Sequence, residues 1–100
     1  MGPRFGDAEL AMLAPLAAHI ARADFSGTAI TDASASALAA MTGLQRLRLA
    51  NIRISDTTIR ALSSLKKLHS LGVSGTKVTD AGLASLRQKG VAIYADTDVH

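Results

Sequence analysis

"LQRLRLANIRISDTTIRALSSLKK", residues 44–67, changes its hydrophobic period halfway along. Leu47 and Leu49 alternate with Arg46 and Arg48, the period-two pattern of a strand buried on one face. Ile59, Leu62 and Leu65 then recur three residues apart, as on one face of a helix. Between the two patterns, Ser55 offers an N-cap hydroxyl and Asp56 a negative charge for the positive end of the helix dipole. One short stretch therefore encodes a strand, a turn and a helix.

The chain writes this stretch three times, as residues 20–43, 44–67 and 68–91. Superposed, Ile20, Leu44 and Leu68 coincide, as do Ala23, Leu47 and Leu71, and Phe25, Leu49 and Val73. Ile30, Ile54 and Val78 follow, then Asp32, Asp56 and Asp80. Ala35, Ile59 and Leu83 align next, and finally Leu38, Leu62 and Leu86. A half copy, 7–19, stands in front, where Asp7, Leu10, Leu13 and Leu16 match Asp56, Ile59, Leu62 and Leu65. Pro15 falls in an interval one residue longer than in the later copies, and proline removes a helical donor, so this first helix is expected to kink or restart there. "VAIYADT" reads as a shortened terminal strand over 91–95. Thr31 and Thr79 repeat the Ser55 cap; Gly43 and Gly90 suit left-handed helix stops, and Arg87 and Lys89 place cations in the last turn.

The pattern "LxxLxLxxxxI" followed by "[ST]Dxx[IL]xxLxxL" resembles the leucine-rich repeat, and "GTKVTDAGLASL" is similar to the 24-residue form common in bacterial proteins. The resemblance spans almost the whole chain. It implies an α/β fold: a right-handed leucine-rich-repeat solenoid, with a parallel sheet on the concave side and helices on the convex side, as one domain over 1–100. It also implies binding rather than catalysis. Similar bacterial repeats occur within larger envelope proteins, some with c-type haem domains, but this chain holds no cysteine to attach a haem.

Elementary energetics also favour stacking. Ordering one 24-residue copy costs roughly 1–2 kcal/mol per residue in backbone entropy. Its handful of apolar side chains returns at most ~1.5–3 kcal/mol each, so a copy cannot stand alone and must cover its faces with neighbours. The core must be built from small and branched aliphatics, since apolar residues make up 48% of the chain and aromatics only 3%. In the first copy Ala23 and Ala35 replace larger residues, and Phe25 is expected to fill the space. Thr28 and Thr76 occupy a turn column suited to an internal hydrogen bond, from which Ile52 departs. Sheet edges recruit other chains unless protected. Asp96 and Asp98 are expected to guard the C-terminal edge, whereas the strand near Arg22–Ser26 has less cover and leaves end-to-end self-association open.

The absence of cysteine excludes disulfides and thiolate chemistry. "MGPRFGDAEL" lacks a signal pattern and no apolar run is long enough to span a membrane, so no membrane insertion is expected; an origin in a longer, extracytoplasmic protein stays open. His19, His69 and His100 have no metal-ligand spacing, and no serine has a histidine–carboxylate partner in the pattern, so neither catalytic nor cofactor residues are assigned. The aspartates at 32, 56 and 80 are assigned to helix starts rather than to a calcium ladder.

Residues between the core positions of each strand should line the concave face: Arg22, Asp24 and Ser26; Arg46, Arg48 and Ala50; Ser70, Gly72 and Ser74. Asn51, Arg53 and Lys77 lie just beyond. The net charge of +3 originates in the middle copy, where Arg46, Arg48, Arg53, Arg60, Lys66 and Lys67 face only Asp56. Two binding modes follow. One is non-catalytic protein binding, or a structural module within a larger assembly, through a face formed by Arg22, Asp24, Arg46, Arg48, Asn51, Arg53 and Lys77. The other is an anion-binding accessory domain of a larger bacterial envelope protein, cytochrome-associated proteins included, with Arg46, Arg48 and Arg53 as the contact. Asp24, beside Arg48, would partly neutralise that patch. Nucleic acid is disfavoured, because single-strand binders interleave aromatics with their cations and this chain does not.

Overall fold

A computed structural model describes residues 4–94. Four three-residue strands form one parallel sheet: β1 (Arg22–Asp24), β2 (Arg46–Arg48), β3 (Ser70–Gly72) and β4 (Ala92–Tyr94), in the order β1-β2-β3-β4. Neighbouring parallel strands need a crossover between them. Here the crossovers carry α2 (Ala35–Ala39), α3 (Asp56–Leu62) and α4 (Asp80–Gln88), while α1 (Asp7–Ala11) precedes the sheet. The fold is α/β.

Register follows the sequence period. Arg22 pairs with Arg46 and Arg46 with Ser70, so Ala23, Leu47 and Leu71 stand in one row. The last pairing is shorter by two residues, Ser70 with Ala92, which brings Ile93 beside Leu71. Of the predicted terminal strand over 91–95, residue 95 lies outside the described residues, as do Asp96, Asp98 and His100.

The core lies between the sheet and the helices. Leu47, Leu71, Ile54, Ile59, Leu62, Leu83 and Leu86 are all buried. In the first copy Phe25 is buried, and Phe5 stacks on it with ring centroids 5.7 Å apart. Thr28 and Thr76 donate their hydroxyls to the carbonyls of Phe25 and Val73, both at 2.6 Å, whereas Ile52 is buried in the same column.

Three local expectations need correction. Pro15 does interrupt the first helix, which restarts as a 3-10 helix over Ala14–His19. That change of pitch rotates later side chains off the α-helical face. Leu16 is accordingly 58% exposed, and Ala17 takes the buried place. Gly90 has the left-handed backbone expected of a stop, but Gly43 does not. Gly43 is small because a Cβ there would fall 2.6 Å from the carbonyl oxygen of Ala18. The helix of the first copy also begins as a 3-10 turn, Asp32–Ser34, before α2.

The aspartates do more than start helices. Asp7 accepts hydrogen bonds from the N–H of Thr31 at 2.9 Å, the Thr31 hydroxyl at 2.7 Å and the Ser34 hydroxyl at 2.5 Å. Asp32 does the same one unit on, accepting from the Ser55 N–H (2.9 Å), the Ser55 hydroxyl (2.6 Å) and the Thr58 hydroxyl (2.6 Å). Asp56 accepts from the N–H and hydroxyl of Thr79, at 2.9 and 2.7 Å. Each carboxylate thus grips the capping residue of the following helix, while Thr31, Ser55 and Thr79 cap their own helices as expected. Burial pushes Asp7 and Asp32 up, but the hydrogen bonds they accept together outweigh it and hold both below the ordinary carboxylate range. At Asp56 the Thr79 bonds lead, with the same result.

Candidate functional site

Side chains alternate across a strand, so the face opposite the core presents two rows. One row is Arg22, Arg46, Ser70 and Ala92; the other is Asp24, Arg48, Gly72 and Tyr94. The rows change character across the sheet: charged on β1 and β2, small on β3, aromatic at β4. Arg46, Arg48 and Tyr94 are all exposed, Tyr94 at 59%.

That change of size creates a trough of about 620 Å³, with Arg46 and Arg48 on one side and Tyr94 on the other. Ser70, Gly72 and Ser74 lie between them, and His69 also lines it. Among the described residues the lining contains no carboxylate. Nothing in the fold demands glycine at 72, since the backbone there is not left-handed and an added Cβ would meet Arg48 Cγ at 3.6 Å, an ordinary contact. The volume falls within the ~300–1,000 Å³ of ligand-sized clefts.

The predicted site residues divide into three groups. Arg46 and Arg48 line the trough. Arg22 and Asp24 share its sheet face but stand on the edge strand β1. The Asp24 carboxylate accepts from the Ser26 N–H at 2.9 Å. Ser26, through its hydroxyl and N–H, and more weakly the Arg48 charge, hold that carboxyl below its ordinary value. Asp24 lies beside Arg48 in the register of the sheet, as expected, but the hydrogen bond it accepts comes from Ser26.

Asn51, Arg53 and Lys77 do not line the trough. Past the strand the chain has turned: Arg53 pairs with Thr31 in a separate bridge, and the Lys77 N–H donates to the Ile54 carbonyl. Arg53 belongs instead to a second depression with Thr28, Thr31 and Asn51. Asn51 has a fold role, with φ of 59° between Gly27 at 71° and Gly75 at 73° in the same turn column. Its side chain fills the space beside Gly75, where a Cβ would come 2.1 Å from Asn51 Oδ1. The arginine patch expected from Arg46, Arg48 and Arg53 is thus reduced to its first two members.

Tyr94 and His69 were not assigned to the site from the sequence. For Tyr94 a signal existed, because in "VAIYADT" it flanks the half-buried Ile93 just as Gly72 flanks Leu71. Among the described residues, no group of three or more His, Cys, Asp or Glu could hold a metal ion, and no helix is long and apolar enough to cross a membrane.

No protein-family model matches the chain, and no curated protein matches it either.

Proposed function

We propose that this chain is a non-catalytic binding module of the leucine-rich-repeat type, in which a protein partner docks on the outward sheet face, the concave side of a right-handed solenoid. The contrast between the two sheet faces carries the reading. One face is closed by Leu47 and Leu71 against the helices, while the other exposes Arg46, Arg48 and Tyr94 around a low middle strand. The constant 24-residue register of β1, β2 and β3 is what a stacked repeat requires. A Cβ on Gly72 would lie 3.8 Å from Arg48 Cβ, closer than the ~4.8 Å separation of strands, in keeping with a sheet curved toward this face.

Because the chain has no cysteine, one can be placed at will. A benzophenone attached at Ser70→Cys should crosslink a partner in cells of the source organism, and the same group at Ala84→Cys on exposed α4 should not. Equal crosslinking from both positions, or crosslinking from α4 alone, refutes the assignment of the face.

The paired arginines favour a second reading, in which the module recruits an anion on behalf of a larger envelope protein. Binding of that kind weakens steeply as salt rises, whereas an apolar contact at the sheet edges does not.

A further inference from the structure

Granting the sheet face as the docking surface, we infer that its trough takes an extended acidic segment of the partner, with a carboxylate on the arginines and an apolar side chain on Tyr94. Three observations on this face converge. The basic wall consists of two arginines side by side, with no carboxylate in the lining among the described residues. The guanidinium fork matches a carboxylate in two parallel hydrogen bonds. The opposite wall is Tyr94, an aromatic body with a polar tip, exposed and two strands away from Arg48. Two strand spacings are ~9.6 Å, and an extended peptide advances ~3.3 Å per residue. A peptide crossing the strands therefore spans the gap in about three residues, bringing a carboxylate to the arginines and an apolar side chain to Tyr94. Between them its backbone passes over the small residues of the middle strand, half-buried Ser70 and Ser74 and buried Gly72.

A nucleic acid or other polyphosphate fits less well. Its charges recur along the strand, and past the arginines the next phosphate meets Asp24 on β1. A single tyrosine is also a poor stacking track. A carboxylate followed by an apolar residue places one negative charge where the positive charge is, and none elsewhere.

The test is to pan a random twelve-residue phage-displayed library against the folded chain at ~20 mM salt, then titrate the selected peptides by amide NMR. Acidic peptides that also carry an apolar residue should be enriched, and should shift amides at 46–50, 69–74 and 92–94. Arg46→Glu with Arg48→Glu should weaken them at least about ten-fold, while Arg53→Glu, equally basic but outside the trough, should leave affinity within about two-fold. Tyr94→Ala should weaken them without removing the dependence on salt. An unchanged melting temperature of the double variant shows that the loss is local. Neutral or basic peptides on the same amides overturn the acidic assignment but leave the docking face standing. Tighter binding of a twelve-nucleotide oligothymidylate overturns it in favour of phosphate. Peptides that shift only helix amides, or no enrichment at all, overturn both.

Discussion

Replacing Asp32 by alanine should be far more damaging than replacing Asp56, although the two occupy equivalent positions. Asp32 holds three donors, and one of them, the Thr58 hydroxyl, belongs to a residue with 0% exposure. Hydrogen bonds to charged groups contribute ~1.5–3 kcal/mol, and a buried donor left unsatisfied costs ~1–3 kcal/mol. These terms overlap rather than add, because Ser55 is only half-buried and its groups regain water. The expected loss for Asp32→Ala is about 3 kcal/mol. At ~4–8 °C per kcal/mol for a chain of this size, Tm should fall by ~12–24 °C. Asp56 holds only the two groups of exposed Thr79, which water can satisfy, so Asp56→Ala should cost about 1 kcal/mol. Urea unfolding followed by far-UV circular dichroism at pH 7 measures both. Adding Thr58→Val to Asp32→Ala removes the stranded hydroxyl and should recover about 1 kcal/mol. Equal losses for Asp32→Ala and Asp56→Ala, or no recovery in the double variant, would refute the buried donor as the source of the difference.

Acid should destabilise the chain through the same groups. Asp7, Asp24, Asp32 and Asp56 all titrate below their ordinary value when folded. Their contribution is therefore complete above the unfolded value of about 3.9 and is lost as pH falls through the lower folded values. Thermal melts should be level with respect to these groups from pH 7 to 5 and fall below about pH 4; a triple Asp→Asn variant at 7, 32 and 56 should lose most of that slope. Gly82→Ser should stabilise by about 1 kcal/mol, since it removes a glycine from α4 and restores the hydroxyl found at Ser34 and Thr58; the Asp56 carboxylate, which a Cβ would approach to 2.1 Å, must first rotate aside. A Tm lower than the parent's would show that Asp56 cannot make room. Gly43→Ala should cost several kcal/mol, because the oxygen it meets is backbone and cannot swing away; urea denaturation would measure this, and a loss under about 0.5 kcal/mol would contradict the close approach. Arg46→Glu with Arg48→Glu should change stability by less than about 1 kcal/mol, both side chains being exposed, as a thermal melt would report.

Features governed by the local period were legible from residues alone. Alternation at Leu47 and Leu49 placed β2, the Ser/Thr-Asp pairs marked the helix starts, and Pro15 marked the break in the first helix. Features that depend on how one unit meets the next were not. The grip of Asp32 on Ser55 and Thr58 joins residues 23 and 26 positions apart, and a carboxylate just inside a helix already has a sufficient local explanation. Gly43 is constrained by Ala18 across a seam that the alternation does not encode. The candidate site suffered from the same limit. Arg53 and Lys77 follow the strand so closely that they share its face only if the chain continues straight, whereas it turns at the left-handed Asn51. The column of Gly27, Asn51 and Gly75 was the available sign of that turn.

The aspartate grip runs in one direction only, each carboxylate reaching forward to a hydroxyl in the next copy. Such a seam can be spliced. A chain carrying residues 44–67 twice in tandem would bring the Asp56 of the first insert against the Ser55 and Thr58 of the second, reproducing the full three-bond arrangement of Asp32 rather than the two-bond version at Thr79. The lengthened protein would gain both a rung of sheet and a second Arg46–Arg48 pair.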